Sequence, residues 1–188
     1  NSGGDISNRD RLYRNKGDGT FEDATAQSGV DHGNDPMSFR PCLVFTGAHL
    51  DNDLWPDIYA VNVHDPSPLH HDFYMRNNGN GTFTDVTSQS PGLGDDAGSG
   101  MGMDVADINR DGNWDIYISD VFNTSNDALP LGNAFYLGTG NGRFSDNSAP
   151  QAGVSADFSW GVNFFDADHD GYEDLYVGTL GGQDFFYL

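Results

Sequence analysis

The 188-residue chain reads as an all-β protein built from four-stranded antiparallel units. Three observations carry that reading. A nine-residue acidic loop occurs three times, a tight hairpin occurs three times at another phase of the same period, and no window keeps a helical spacing of apolar residues beyond a turn or two. The closing aspartates of the loops, Asp57, Asp115 and Asp174, stand 58 and 59 residues apart, and the hairpin phenylalanines Phe21, Phe83 and Phe144 stand 62 and 61 apart. Two motifs held in fixed order at a constant spacing define a structural repeat of roughly 60 residues.

Residues 1–10 carry no periodic apolar face and read as an irregular start. Residues 11–15 alternate as a strand, Lys16-Gly17-Asp18-Gly19 turns the chain, and residues 20–25 return it. Asp-Gly between two alternating runs marks a hairpin, because glycine takes positive φ without a steric penalty. The second copy uses residues 73–77 and 82–87 around Asn78-Gly79-Asn80-Gly81, and the third uses 135–137 and 143–146 around Gly140-Asn141-Gly142. Small-residue links at Ser28-Gly29-Val30, Pro91-Gly92-Leu93 and Ala152-Gly153-Val154 lead towards inner strands at 43–45, 101–105 and 160–165. After each acidic loop comes a β-branched and aromatic strand, at 58–61, 116–119 and 175–177. The order is inner strand, acidic loop, strand, connection, strand, tight turn, strand. Four antiparallel strands in about 60 residues are the unit of a β-propeller blade. One repeat domain, 1–188, is expected, with repeats near 11–62, 73–120 and 135–179 and a further strand at 185–188.

The acidic loops carry the chemistry. Asp166, Asp168, Asp170 and Asp174 occupy positions 1, 3, 5 and 9 of one loop, with Gly171 at position 6. Carboxylates so close together repel one another unless a cation lies among them. Alternate oxygen donors, a glycine for the sharp turn and a closing acid suit Ca²⁺, which takes six to eight oxygens. Tyr172, at position 7, would add its backbone carbonyl. Asp107, Asn109, Asp111 and Asp115 repeat the pattern, with Gly112 at position 6 and Asn113 at position 7. The earliest copy keeps Asp51, Asp53 and Asp57 but has His49 at position 1 and Leu54 at position 6. A bulky residue must then take the glycine's turn, so this site is expected to be weaker.

Acidic residues outnumber basic ones 29 to 8, for a net charge of −21. No basic stripe is available for phosphates, which argues against nucleic acid and against an anionic membrane surface as partners. No stretch is apolar enough to span a membrane and no signal peptide is present, while the start at Asn1 leads us to expect a leader or an upstream portion. Millimolar calcium is an extracellular condition, so secretion or surface display is expected. The single cysteine, Cys42, lies in an apolar run and reads as a buried, inert thiol. Asn80-Gly81-Thr82 and Asn123-Thr124-Ser125 are formal glycosylation sequons, the first of which is also a hairpin turn. The connections at 62–71, with His64, His70 and His71, and at 120–133 vary most and are where specificity could reside.

Taken in order, these motifs resemble the FG-GAP (VCBS-type) repeats of integrin-like β-propellers, bacterial secreted type. The resemblance rests on the run from Leu12 to Phe21 and on Asp-x-Asp-x-Asp-Gly-x-x-Asp. It implies a propeller whose loops hold Ca²⁺ through Asp107, Asn109, Asp111 and Asp115 and through Asp166, Asp168, Asp170 and Asp174. In the first copy only Asp51, Asp53 and Asp57 carry over. Such propellers close a ring of about seven blades, whereas this sequence supplies three periods and one further strand. The unfinished blades are expected to be completed within a longer chain or by other copies, and head-to-tail pairing that does not close makes a filament.

The functional expectation is a non-catalytic, extracellular calcium-binding module for adhesion or for surface or filament assembly. One alternative is a carbohydrate- or protein-binding propeller face, in which Trp55 and Trp114 either contact ligand or pack between neighbouring blades. Another is an accessory part of a secreted polysaccharide-active enzyme. Against catalysis by this chain, nearly every clustered acid is accounted for as a calcium ligand and no serine or cysteine stands in a recognisable nucleophile frame. His64, His70 and His71 form only a weak transition-metal pattern.

Overall fold

The computed structural model describes residues 10–30, 42–62, 72–90, 93, 100–121, 132–145, 149–154 and 158–188. Strands β1 (Tyr13–Asn15) and β2 (Phe21–Asp23) form the first hairpin, followed by a single helical turn, α1 (Thr25–Ser28). Strands β3 (Cys42–Ala48), β4 (Asp57–Asn62), β5 (Phe73–Asn77) and β6 (Phe83–Asp85) make a four-stranded antiparallel sheet in sequence order. This is the predicted blade. Next come β7 (Gly100–Ala106), β8 (Asp115–Asp120) and β9 (Ala134–Tyr136) as one sheet, and the hairpin β10 (Gly138–Gly140) and β11 (Arg143–Phe144) beyond it. A second helical turn, α2 (Ala149–Ala152), precedes β12 (Ser159–Phe165), β13 (Asp174–Thr179) and β14 (Phe185–Tyr187), which form the last sheet.

The differences from expectation have local causes. The strand predicted at 20–25 stops at Asp23, whose Oδ1 accepts the Thr25 N–H at 3.0 Å and starts α1. Asp85 does the same to Thr87, at 3.0 Å, and begins a 3-10 turn at Thr87–Gln89. The third strand of the second blade breaks at Leu137. Immediately after it, a Cβ on Gly138 would lie 2.3 Å from the Trp114 carbonyl oxygen, so the chain passes the acidic loop where only glycine fits. Ser145 N–H donates to the Leu137 carbonyl at 2.8 Å and holds the outer hairpin across the break. The inner strands run longer than predicted, up to the loop itself. Each shifts register at the same place, between Cys42 and Val44, Gly100 and Gly102, and Ser159 and Gly161. Such a shift adds twist to the strand.

The sheets stack face to face. Tyr59, Val61 and Tyr74 of the first blade pack on Ile116, Ile118 and Tyr136 of the second, while Tyr117 and Phe135 of the second pack on Leu175 and Val177 of the third. The cross-strand pairs Tyr59 with Tyr74, Tyr117 with Phe135 and Tyr176 with Phe186 occupy one position in successive blades. The first two pairs are buried, and Tyr176 and Phe186 are 39% and 48% exposed. Burying one such ring is worth about 1.5–3 kcal/mol, so inter-blade packing dominates the stability of the array. The predicted irregular start, the link at Pro91-Gly92, the loop with His64, His70 and His71, and the sequon at Asn123 lie outside the described residues.

Candidate metal loops

The backbone of each acidic loop bends at its fourth residue, which is left-handed in all three copies: Asn52 at φ 64°, Arg110 at φ 58° and His169 at φ 64°. Gly112 and Gly171, at position 6, also take positive φ, 84° and 87°. Leu54 does not, contrary to the expectation that it would adopt the glycine's turn. A Cβ makes that conformation cost about 1–2 kcal/mol, and the first loop avoids the cost by following another path that leaves Leu54 84% exposed.

The closing aspartates belong to the strands as much as to the loops. Asp57, Asp115 and Asp174 are the first residues of β4, β8 and β13 and are all buried. Asp115 accepts the Ile108 N–H at 3.0 Å and the Gly138 N–H at 2.8 Å. Asp57 accepts the Asn77 N–H at 2.8 Å and the Tyr74 hydroxyl at 2.7 Å, and Asp174 accepts the Ala167 N–H at 2.8 Å. Each therefore ties its loop or the neighbouring strand to its own. Burial raises the Asp57 carboxyl, and it raises that of Asp115 to about 6 despite the opposing N–H donors. A carboxylate oxygen has two lone pairs, so accepting one N–H leaves a position for a cation.

The third loop gathers its acids best. Ligand oxygens of Asp166, Asp168 and Asp174 lie within 4.8 Å of one another. Asp166 Oδ2 accepts the Gly171 N–H at 3.0 Å, while Asp166 Oδ1 is buried with no hydrogen-bond partner. A desolvated carboxylate oxygen beside two more carboxylates is the arrangement that a hard divalent cation satisfies. Asp170 is outside the trio, accepting the Tyr172 N–H at 2.8 Å. In the second loop the donors serve the backbone. Asp107 accepts the Asp111 and Gly112 N–H groups, each at 3.0 Å, and Asn109 Oδ1 also accepts the Asp111 N–H at 3.0 Å. Asp111 accepts the Asn113 N–H at 2.9 Å, and this bond holds its carboxyl below the usual range. In the first loop Asp51 accepts the Asp53 N–H at 3.0 Å, Asp53 accepts the Trp55 N–H at 2.6 Å, and His49 Nδ1 lies 3.2 Å from the Asp53 carbonyl oxygen. Among the described residues, no second trio of acids is drawn together like that of the third loop.

Residues 49–118 match the family model of the FG-GAP-like repeat. Over those residues the chain is similar to an FG-GAP-like repeat. The match runs from position 1 of the first loop, through the second, into β8. No curated protein matches the chain.

Within the matched stretch and beyond it, the loops touch one another. Asn52 Nδ2 donates to Asn113 Oδ1 at 2.6 Å, joining the first loop to the second, and the Arg110 guanidinium covers the Tyr172 ring, joining the second to the third. Trp55 lies against Gly79 in the outer turn of its own blade, lines a cleft between the β1–β2 and β5–β6 hairpins, and is 48% exposed. Asn80 Oδ1 accepts both the N–H and the hydroxyl of Thr82, at 3.0 and 2.6 Å, as hairpin chemistry requires.

A third recurring element escaped the sequence reading. Asp72, Asn133 and Asp184 accept the N–H of Asn62, Asp120 and Thr179, each at 2.9 Å. Each also bonds the tyrosine of its second strand. Tyr59 donates to Asp72 at 3.2 Å, Tyr176 donates to Asp184 at 2.6 Å, and Asn133 donates to Tyr117 at 2.7 Å. The signal was an Asp or Asn one residue before each third strand, which in the sequence resembles a loop polar residue. Asp104 also went unnoticed. It accepts from Asn163 Nδ2 at 2.7 Å and from the Phe164 N–H at 2.8 Å, tying β7 to β12.

Proposed function

We propose that the chain is a non-catalytic, calcium-binding repeat module of a secreted or surface-displayed protein, serving adhesion or surface assembly. The observation that carries this reading is the buried, unpartnered Asp166 Oδ1 beside Asp168 and Asp174. Those three residues would hold the ion, with Asp170 and the Tyr172 carbonyl as further donors. The second loop offers Asp107, Asn109, Asp111, Asp115 and the Asn113 carbonyl, and the first offers Asp51, Asp53 and Asp57. A bound ion cancels carboxylate repulsion and pins the loop, so metal binding and folding are linked. The FG-GAP-like match supports a β-propeller-type framework.

The acids serve as framework in this reading, which leaves the exposed surfaces as the working part. No helix among the described residues is long and apolar enough to cross a membrane. The outer face of the third blade exposes Phe165, Tyr176 and Phe186, the positions that earlier blades use for packing, and this supports assembly with further blades of the same kind. The deciding experiment is thermal melting in millimolar calcium and in excess chelator. Calcium is expected to raise Tm in the wild type, and Asp166→Asn is expected to lose most of that shift while His49→Gln keeps it. Identical Tm values in calcium and chelator would overturn the proposal.

A further inference from the structure

A polar cleft of about 440 Å³ opens between the first blade and the outer hairpin of the second. Arg76 on β5 and Arg143 on β11 line it together with Asp51, Asp53, Gln89 and Asn141. Two of only eight basic residues thus meet in one cleft of a chain with 29 acids. Neither arginine makes an ion pair among the described residues. The cause is visible in the repeat. Arg14 holds the position of Arg76 in the first hairpin, and its cross-strand neighbour Glu22 neutralises it, whereas the residue opposite Arg76 is Thr84.

The cleft is also preformed. Gly140, Asn141 and Gly142 take successive positive φ values of 82°, 55° and 68°, which fixes the turn that presents Asn141 and Arg143. That turn rests on Tyr74: a Cβ on Gly142 would come within 3.0 Å of the Tyr74 ring. Tyr74 is in turn held by its bond to Asp57. A wall fixed in this way loses little entropy on binding.

We infer that this cleft binds a carboxylated saccharide unit of the uronic acid class. Planar guanidinium groups pair with a carboxylate through parallel N–H bonds. Asp51, Asp53, Gln89 and Asn141 supply acceptors and amides for ring hydroxyls, and the two aspartates repel a ligand of higher negative charge such as a phosphate. The volume suits one or two sugar rings. Asp51 and Asp53 are shared with the first acidic loop, but the calcium reading is carried by the third loop, which lies outside this cleft, so failure of the one and failure of the other can be told apart.

The test is calorimetric titration of the whole chain with D-galacturonate and, separately, with D-galactose, each in calcium and in chelator. Galacturonate is expected to bind in both media, at least about tenfold more tightly than galactose. Arg76→Gln and Arg143→Gln should each weaken it by about tenfold, the usual worth of a charged hydrogen bond. Arg14→Gln should leave it unchanged, and all three variants should keep the calcium-dependent melting shift. In a nitrogen-labelled sample, galacturonate should shift the amides of Gln89, Asn141 and Arg143. Absence of galacturonate binding, equal affinity for galactose, wild-type affinity in both cleft arginine variants, binding that needs calcium, or shifts centred elsewhere would each overturn the assignment.

Discussion

The Arg110 guanidinium lies 3.7 Å from the centre of the Tyr172 ring, so the fourth residue of the second acidic loop rests on the seventh of the third. The contact also crowds Gly171, where a Cβ would come within 3.0 Å of Arg110 Nη2. At an exposed site such a contact is worth about 0.5–1 kcal/mol. Arg110→Ala should therefore move the urea midpoint slightly. Gly171→Ala, which combines crowding with a left-handed backbone, should cost about 1–2 kcal/mol. An Arg110→Ala midpoint equal to wild type would show that the loops are independent.

Gly102 and Gly161 hold the same position after the register shift of successive inner strands, yet only one is crowded. A Cβ on Gly102 would sit 2.5 Å from the Trp160 carbonyl oxygen, whereas at Gly161 it would meet nothing within 4 Å. Gly102→Ala should push β12 away from β7 and cost about 1–3 kcal/mol, as overpacking does. Gly161→Ala should be close to neutral, because it mainly stiffens the unfolded chain. Thermal melts of the two variants side by side check this, and equal losses would contradict the close approach.

Asn133 bonds three groups directly and reaches a fourth through one of them. It accepts from Asp120 N–H and the Ser159 hydroxyl, donates to Tyr117, and through Tyr117, whose hydroxyl donates to the Val154 carbonyl at 2.5 Å, it is linked to the segment after α2. Asn133→Ala would strand buried partners, at about 1–3 kcal/mol for each group left unpaired. Asp184→Ala removes the equivalent ties on the solvent side and should cost far less. Denaturant titration distinguishes the two, and a larger loss at Asp184 would refute the argument.

Burial raises the Cys42 thiol from its ordinary value of 9.0 to about 12, and the charges of Asp10 and Asp72 add to the rise. The thiolate is the reactive form. At mildly alkaline pH the folded protein should therefore react with a disulfide reagent at least about tenfold more slowly than the urea-unfolded chain. The sign for stability follows. Above about pH 9 the unfolded chain gives up this proton while the folded one keeps it, so Cys42 lowers stability as pH rises between those two values. Cys42→Ser should flatten that part of the pH profile.

The blade was legible in the sequence because its signals are local. Asp18-Gly19 and Asn80-Gly81 must turn, Ile58 to Val61 must be a strand, and the nine-residue loops repeat their spacing. What stayed hidden depends on neighbours in space. Leu137 breaks its strand because Gly138 passes Trp114, and Asp104 matters because β12 lies alongside β7. Position 6 of the first loop was misread for a related reason. A missing glycine can be met by a strained residue or by a different path, and Leu54 follows the different path. The acidic loops were legible as a repeat, but how each carboxylate is engaged was not. Nothing in their spacing separates Asp107, engaged by two backbone N–H groups, from Asp166, with an oxygen left over.

Because Tyr59 with Tyr74 and Tyr117 with Phe135 occupy one position in successive blades, the two buried junctions share a socket. Duplicating or deleting a repeat would preserve this aromatic socket, so the length of the array can change over evolution while the core of each junction is kept. Only the polar ties around it, Asn52 to Asn113 at one junction and Asp104 to Asn163 at the other, would have to be replaced. The departures from the pattern, Leu54 in one loop and Thr84 opposite Arg76, are then the places where an individual copy has acquired a character of its own.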